Sequence, residues 1–146
     1  MTKQLLASVI TTLCLSLTSP SFAQLQLSPL SKNISPDLSI AMQMNQEKFT
    51  QLMQQGFKSV IVQRPDQALG NFMTVNELRT IAERAHVSVI YQPIPIGKIS
   101  ATDVVEFAKY YNELPKPILI ICQSALRSKA LFDQAYYRSL HNRGSW

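Results

Sequence analysis

The run PILIIC, from Pro117 to Cys122, limits more than any other stretch what this chain can fold into. Ile118 to Ile121 are all apolar, so the run presents no polar face. A half-exposed strand alternates apolar with polar side chains. An unbroken apolar run suits a central strand covered on both faces, as strands of parallel sheets are. Such a strand needs helices packed on each side and crossover connections of a dozen or more residues between its neighbours.

The preceding chain supplies both. Leu38 to Met44 (LSIAMQM) alternates as a half-buried strand does, and Asn45 is placed to cap a helix whose Phe49, Leu52 and Met53 fall at i, i+3 and i+4, with Gly56 at its end. Phe57 to Arg64 (FKSVIVQR) is a β-branched strand stopped by Pro65. Thr74 and Glu77 form a capping box ahead of Leu78, Ile81 and Ala82. After VSVIYQPIPI, Ser100 and Asp103 repeat that cap, and a last helix runs from about Ser124 to Leu140. Strands alternating with helices predict an α/β domain over residues 37–146, with a mostly parallel central sheet flanked by helices.

Met1 to Ala23 has a lysine at position 3, an apolar stretch from Leu5 to about Leu17, and small residues at Ser21 and Ala23. This is the pattern of a secretory signal peptide, with an apolar centre short of the roughly 20 residues a spanning helix needs. Cleavage after Ala23 is expected, giving a secreted or periplasmic protein with no stable membrane insertion. Residues 24–36, with Pro29 and Pro36, read as an extended lead-in. Cys14 leaves with the peptide, so Cys122 is the one thiol of the mature chain and no internal disulfide forms.

The net charge of +5 is spread along the chain apart from Arg138, His141 and Arg143, without the basic stripe of a nucleic-acid binder, and none is expected as a partner. One mature cysteine and the widely spaced His86 and His141 match no metal pattern. With 4 glycines there is no glycine-rich nucleotide loop, and no cofactor is expected.

In open parallel sheets, ligands bind beyond the carboxyl ends of the strands. Cys122 stands at such an end, and Gln123, Ser124, Ala125, Leu126 and Arg127 suffice only for a tight loop into the following helix. Such a turn can aim backbone N–H groups at an anion, aided by the helix dipole, and the same field favours thiolate over thiol. Arg127 adds a fork shaped for an oxyanion. The arrangement is that of a nucleophile in an anion cradle. The other reading is a small buried cysteine that only fills the core.

The pieces LSIAMQM, GFKSVIVQRPD, YQPIPIGKIS and DVVEFAKYYNELPKPILIICQSALRS make the chain from about Ile34 to Tyr137 resemble the phosphatase-like domain of the bacterial beta-lactamase hydrolase-like proteins. That family is a branch of the dual-specificity phosphatase fold and is also labelled a sulfurtransferase family. The resemblance implies a cysteine loop between the last strand and last helix, where the family shows Cys-Arg-Ser-Gly-x-Arg-Ser. It implies Cys122 as nucleophile, Arg127 as the anion-binding arginine, and Gln123, Ser124, Ala125, Leu126 and Ser128 as the loop around the anion. Gln123 replaces the usual arginine and Ala125 the usual glycine, which would strain the loop if a positive φ were needed there.

Phosphatase chemistry also uses an acid on the leaving oxygen, worth about 10²–10⁴ in rate. The segment PIPIGKIS, where relatives often carry it, holds no carboxylate. Asp66 and Asp103 are the candidates, although Asp66 also suits a turn after Pro65 and Asp103 a helix cap. The expected function is a cysteine-dependent phosphatase-like hydrolase. The alternatives are a periplasmic sulfurtransferase working through a Cys122 persulfide and a non-catalytic anion- or protein-binding module. The expected ligand is a small anion, either a phosphate ester or a sulfur donor. Protein recovered from its native host should be soluble and begin at Gln24; N-terminal sequencing checks this, and an intact Met1 in the membrane fraction would refute it.

Overall fold

The computed structural model describes residues 29–70 and 73–143, so the expected signal peptide lies outside the described residues. Five strands and four helices follow one another as β1 (Lys32–Ser35), β2 (Leu38–Ala41), α1 (Gln46–Met53), β3 (Ser59–Val62), α2 (Val75–Arg84), β4 (Ser88–Tyr91), α3 (Ala101–Glu113), β5 (Ile118–Ile121) and α4 (Ala125–Arg143). The sheet order is β1-β2-β5-β3-β4. Only β1 is antiparallel to its neighbour; β2, β5, β3 and β4 pair in parallel. The last strand in the chain is thus the middle strand in space, as its unbroken apolar run requires.

Each helix starts where its cap residue permits. Asn45 accepts from the Lys48 N–H, and complete capping boxes form at Thr74/Glu77 and Ser100/Asp103. Gly56 and His86, at the ends of α1 and α2, take the left-handed conformation that reverses the chain there, at φ 92° and 57°. Part of the expected lead-in joins the sheet: Lys32–Ser35 is strand β1, and Ser39 Oγ donates to Asn33 Oδ1 at 2.7 Å. The described domain therefore starts ahead of residue 37.

Two apolar layers enclose the sheet. On one face Leu119 and Ile121 of β5 and Val60 and Val62 of β3 pack with Phe49 and Leu52 of α1 and Leu78 and Ala82 of α2. On the other, Ile118, Ile120 and Cys122 join Ile61, Val104 and Phe107 of α3, and Leu131 and Ala135 of α4. The strict alternation along β5 follows from the pleat, which sends successive side chains to opposite faces. The second layer is extended by an aromatic row, in which Tyr111 packs on Phe107 at 6.2 Å and edge-on to Phe132 at 5.4 Å, tying α3 to α4.

Phe107 is 0% exposed, whereas Val105 on the same helix is 55% exposed. Phe107→Ala should cost about 3–5 kcal/mol of unfolding free energy through the cavity it leaves. Val105→Ala should stay within about 0.5 kcal/mol. Urea denaturation of both variants checks the contrast; equal effects would mean that α3 does not pack as described.

Candidate functional site

The parallel ladder continues one residue past the ends of β5 and β3. Cys122 N–H donates to Ala41 O at 3.1 Å, and Gln63 N–H to Ile121 O at 2.8 Å. Because Ile61 lies beside Ile120 in register, Gln63 comes level with Cys122 and points to the same face, toward α4. There it meets Ser128, buried on the inner stripe of α4, whose Oγ donates to Gln63 Oε1 at 2.7 Å. Arg64, one residue on, faces the other side of the sheet, and its Nη2 donates to Met73 O at 3.2 Å.

The cysteine loop is a tight turn, as its length demands. Ser124 caps α4: its Oγ accepts from Arg127 N–H at 3.4 Å and its carbonyl from Ser128 N–H at 3.1 Å. Ala125 opens the helix, and positive φ among the described non-glycine residues is confined to Gln43 and His86, so the alanine carries no left-handed strain. Leu126 points to solvent at 84% exposure, which removes it from the anion loop as a lining group. Gln123, Ser124, Arg127 and Ser128 do line a small cavity, of about 20 Å³, with Cys122 and Gln63.

Arg127 reaches across that cavity to the PIPIGKIS segment, where its Nη2 donates to Pro95 O and, at 3.1 Å, to Gly97 O. Gly97 holds φ 128°, a backbone state that side-chain-bearing residues rarely adopt, and so turns its carbonyl to the guanidinium. The segment that lacks a carboxylate thus orients the arginine instead. Two buried donors on residues that line the cavity remain without a hydrogen-bond partner, Arg127 Nε and Gln63 Nε2.

Both candidate acids are engaged elsewhere. Asp66 Oδ1 accepts from the Val75 N–H at the start of α2 at 2.9 Å, while its own N–H donates to Tyr91 Oη at 3.1 Å. Asp103 Oδ2 accepts from Ser100 N–H at 2.8 Å within the α3 capping box. Neither lines the cavity at Cys122.

The thiol departs from expectation. Burial pushes the Cys122 thiol above its ordinary value; the Ser128 hydroxyl, the Arg64 guanidinium and the Ser124 N–H each pull it down without overcoming that desolvation. Cys122 is 2% exposed, the burial that its core-filling reading supposes, and this outweighs the helix N-terminus.

Residues 31–136 match the family described as beta-lactamase hydrolase-like protein, phosphatase-like domain. The chain belongs to this family. Solved structures share its fold. A phosphatase-like protein from Neisseria meningitidis is 24% identical, with a TM-score of 0.63 over 69% of this chain and 72% of that one. A phosphatase-like DUF442 protein from Shewanella putrefaciens is 20% identical, with a TM-score of 0.63 over 77% and 71%. The core catalytic domain of the PP-IP phosphatase from S. cerevisiae is 15% identical, with a TM-score of 0.51 over 73% and 74%. No curated protein matches the sequence. The likenesses place the domain in the cysteine phosphatase type of α/β fold, a five-stranded and mostly parallel sheet between helices.

Gln63 is not among the expected site residues, and Arg64 enters only through the matching stretch RPD (Arg64 to Asp66), a loop near the carboxyl edge of the sheet, although the signal was present. Two polar residues end the apolar strand SVIV just before Pro65, as Cys122 ends ILII. Iodoacetamide should alkylate Cys122 with a midpoint above about pH 8.5, the ordinary thiol value. A raised folded pKa stabilises the fold below the unfolded value and loses that contribution as pH rises through the folded one, so wild type should lose stability at alkaline pH relative to Cys122→Ala. An alkylation midpoint below neutrality would overturn this account of the thiol.

Proposed function

We propose that this domain is an exported, cysteine-dependent phosphatase-like hydrolase acting on small anionic phosphate esters. The observation that carries the reading is the gathering of unpartnered buried donors, Gln63 Nε2 and Arg127 Nε, on residues that line one cavity with Cys122 at the end of the central strand. Buried polar groups are nearly always hydrogen-bonded, and donors left open at a cavity suit an oxyanion. The start of α4 lies beside the same cavity, with its dipole favouring negative charge.

In this reading the Cys122 thiolate attacks phosphorus, a P–S bond forms as the ester P–O bond breaks, and the leaving oxygen departs with the bonding pair. Arg127, held by Pro95 O and Gly97 O, donates Nε to an equatorial oxygen, and Gln63 Nε2 donates to another. Water then cleaves the thiophosphate, returning the thiolate and releasing phosphate. The raised thiol makes ionisation a prior step, so the rate should climb with pH. With Asp66 and Asp103 held in caps, the leaving oxygen receives no proton from either, which favours substrates whose leaving group is already stable as an anion.

That same lack of an acid favours a second reading, transfer of sulfur through a Cys122 persulfide, a reaction that proceeds without one when the acceptor is a good nucleophile. Release of an aryl alcohol from its phosphate ester, measured beside thiocyanate formation from thiosulfate and cyanide, separates the two. Wild type should hydrolyse the aryl phosphate slowly, faster at pH 9 than at pH 7. Cys122→Ser should be inactive, and Arg127→Lys should lose about 10²-fold or more in kcat because a point charge cannot replace the fork. Cysteine-dependent thiocyanate without phosphate release would establish the sulfurtransferase. Activity in neither assay would leave an anion-binding module.

A further inference from the structure

Cys122 and Gln123 separate two cavities. One is the Arg127 cradle; the other, open and about 320 Å³, is walled by Arg64, Met42, Gln43, Leu69 and Gly70 together with those two shared residues. Arg64 is only 4% exposed. Buried arginines are ordinarily paired with a carboxylate, since an unpaired buried charge is costly. Among the described residues the ion pair found is Lys129–Asp133, on the exposed side of α4; the Asp66 charge acts on Arg64, but its Oδ1 accepts from the Val75 N–H and it makes no direct ion pair with the guanidinium. Arg64 Nη2 is satisfied by Met73 O, but the buried Nε has no partner. A charged side chain with one buried, unpartnered donor therefore lines a cavity that touches the nucleophile.

Gln123, a neutral amide, lines the same cavity as Arg64, so Arg64 is the charged side chain among that cavity's lining residues. The two arginines sit on opposite faces of the sheet, reached from different cavities, so they are not placed to grip one phosphoryl group as a pair. We propose that Arg64 forms a second anion-binding position on the side of Cys122 away from Arg127, so that the site takes phosphate esters carrying a second anionic group. Met42, 43% exposed, and Leu69, 95% exposed, give the same cavity an apolar rim that would pack on the carbon skeleton joining the two groups. The inference rests on reading Cys122 and Arg127 as a phosphate cradle.

Calorimetric titration of the full chain with orthophosphate, pyrophosphate and 1,3-propanediol bisphosphate tests it. At least one bis-anion should bind about tenfold more tightly than orthophosphate, the gain expected from one further charge-assisted contact. Arg64→Gln should abolish that preference, bringing the bis-anions level with orthophosphate. Leu69→Glu, at an exposed position that cannot upset the core, should do the same by repelling the second group. If Arg64 served only to hold Met73, its loss would lower stability and leave the bis-anion preference intact, which overturns the proposal. Equal affinity of wild type for all three anions would overturn it while sparing the cradle. Failure of wild type to bind orthophosphate would overturn the cradle and this proposal together.

Discussion

Two backbone hydrogen bonds, Cys122 N–H to Ala41 O and Gln63 N–H to Ile121 O, seat the end of β5 between β2 and β3, and every feature of the site depends on them. They fix register, and in a pleated sheet register decides which face each side chain takes. With Ile61 beside Ile120, Gln63 and Cys122 share the α4 face while Arg64 takes the other. A slip of one residue would send Gln63 away from Ser128 and bring Arg64 into its place. The strand that sets this register lies far along the chain from its partners. β2 and β3 meet only through β5, so the site forms only as the sheet closes.

The electrostatics of Cys122 are a contest between two consequences of that placement. Insertion as the central strand removes the sulfur from water, which favours the neutral thiol. The same placement brings the Ser124 N–H, the Ser128 hydroxyl and the Arg64 guanidinium close enough to favour thiolate. Burial wins. A hydroxyl has one hydrogen, and that of Ser128 is directed to Gln63 Oε1, so while that bond stands it is not offered to the sulfur. Ionisation of Cys122 is thus coupled to rotation of Ser128 and to the amide of Gln63, a neutral group that links the two central strands to α4.

The departures from the family pattern have structural readings of their own. Ala125 is tolerated because it begins α4 in ordinary right-handed geometry, where alanine is a better helix former than glycine. The position of Gln123, exposed between the two cavities, lets the loss of a loop charge leave the core untouched. The PIPIGKIS segment, which carries no acid, contributes two carbonyls that hold the guanidinium of Arg127.

Local chemistry was legible in the sequence because it is written over short spans. The caps at Asn45, Thr74 and Ser100, the turn at Gly56 and the doubly covered β5 each follow from a few neighbouring residues, and each stands where the pattern put it. The capping boxes likewise disclosed in advance why Asp103 is a poor acid. The sequence also pointed to Cys122 and Arg127, which one short loop holds together, while Ser124 and Ser128 came through the family resemblance; all four line the cavity. It could not order the strands, and so could not bring Gln63 and Arg64, nearly sixty residues earlier in the chain, beside the cysteine. Nor could it weigh burial against charge at the thiol, since desolvation belongs to the packed sheet and to no single segment. Tertiary structure alone decided those points, because they depend on which distant backbone amides lie level across the central strand.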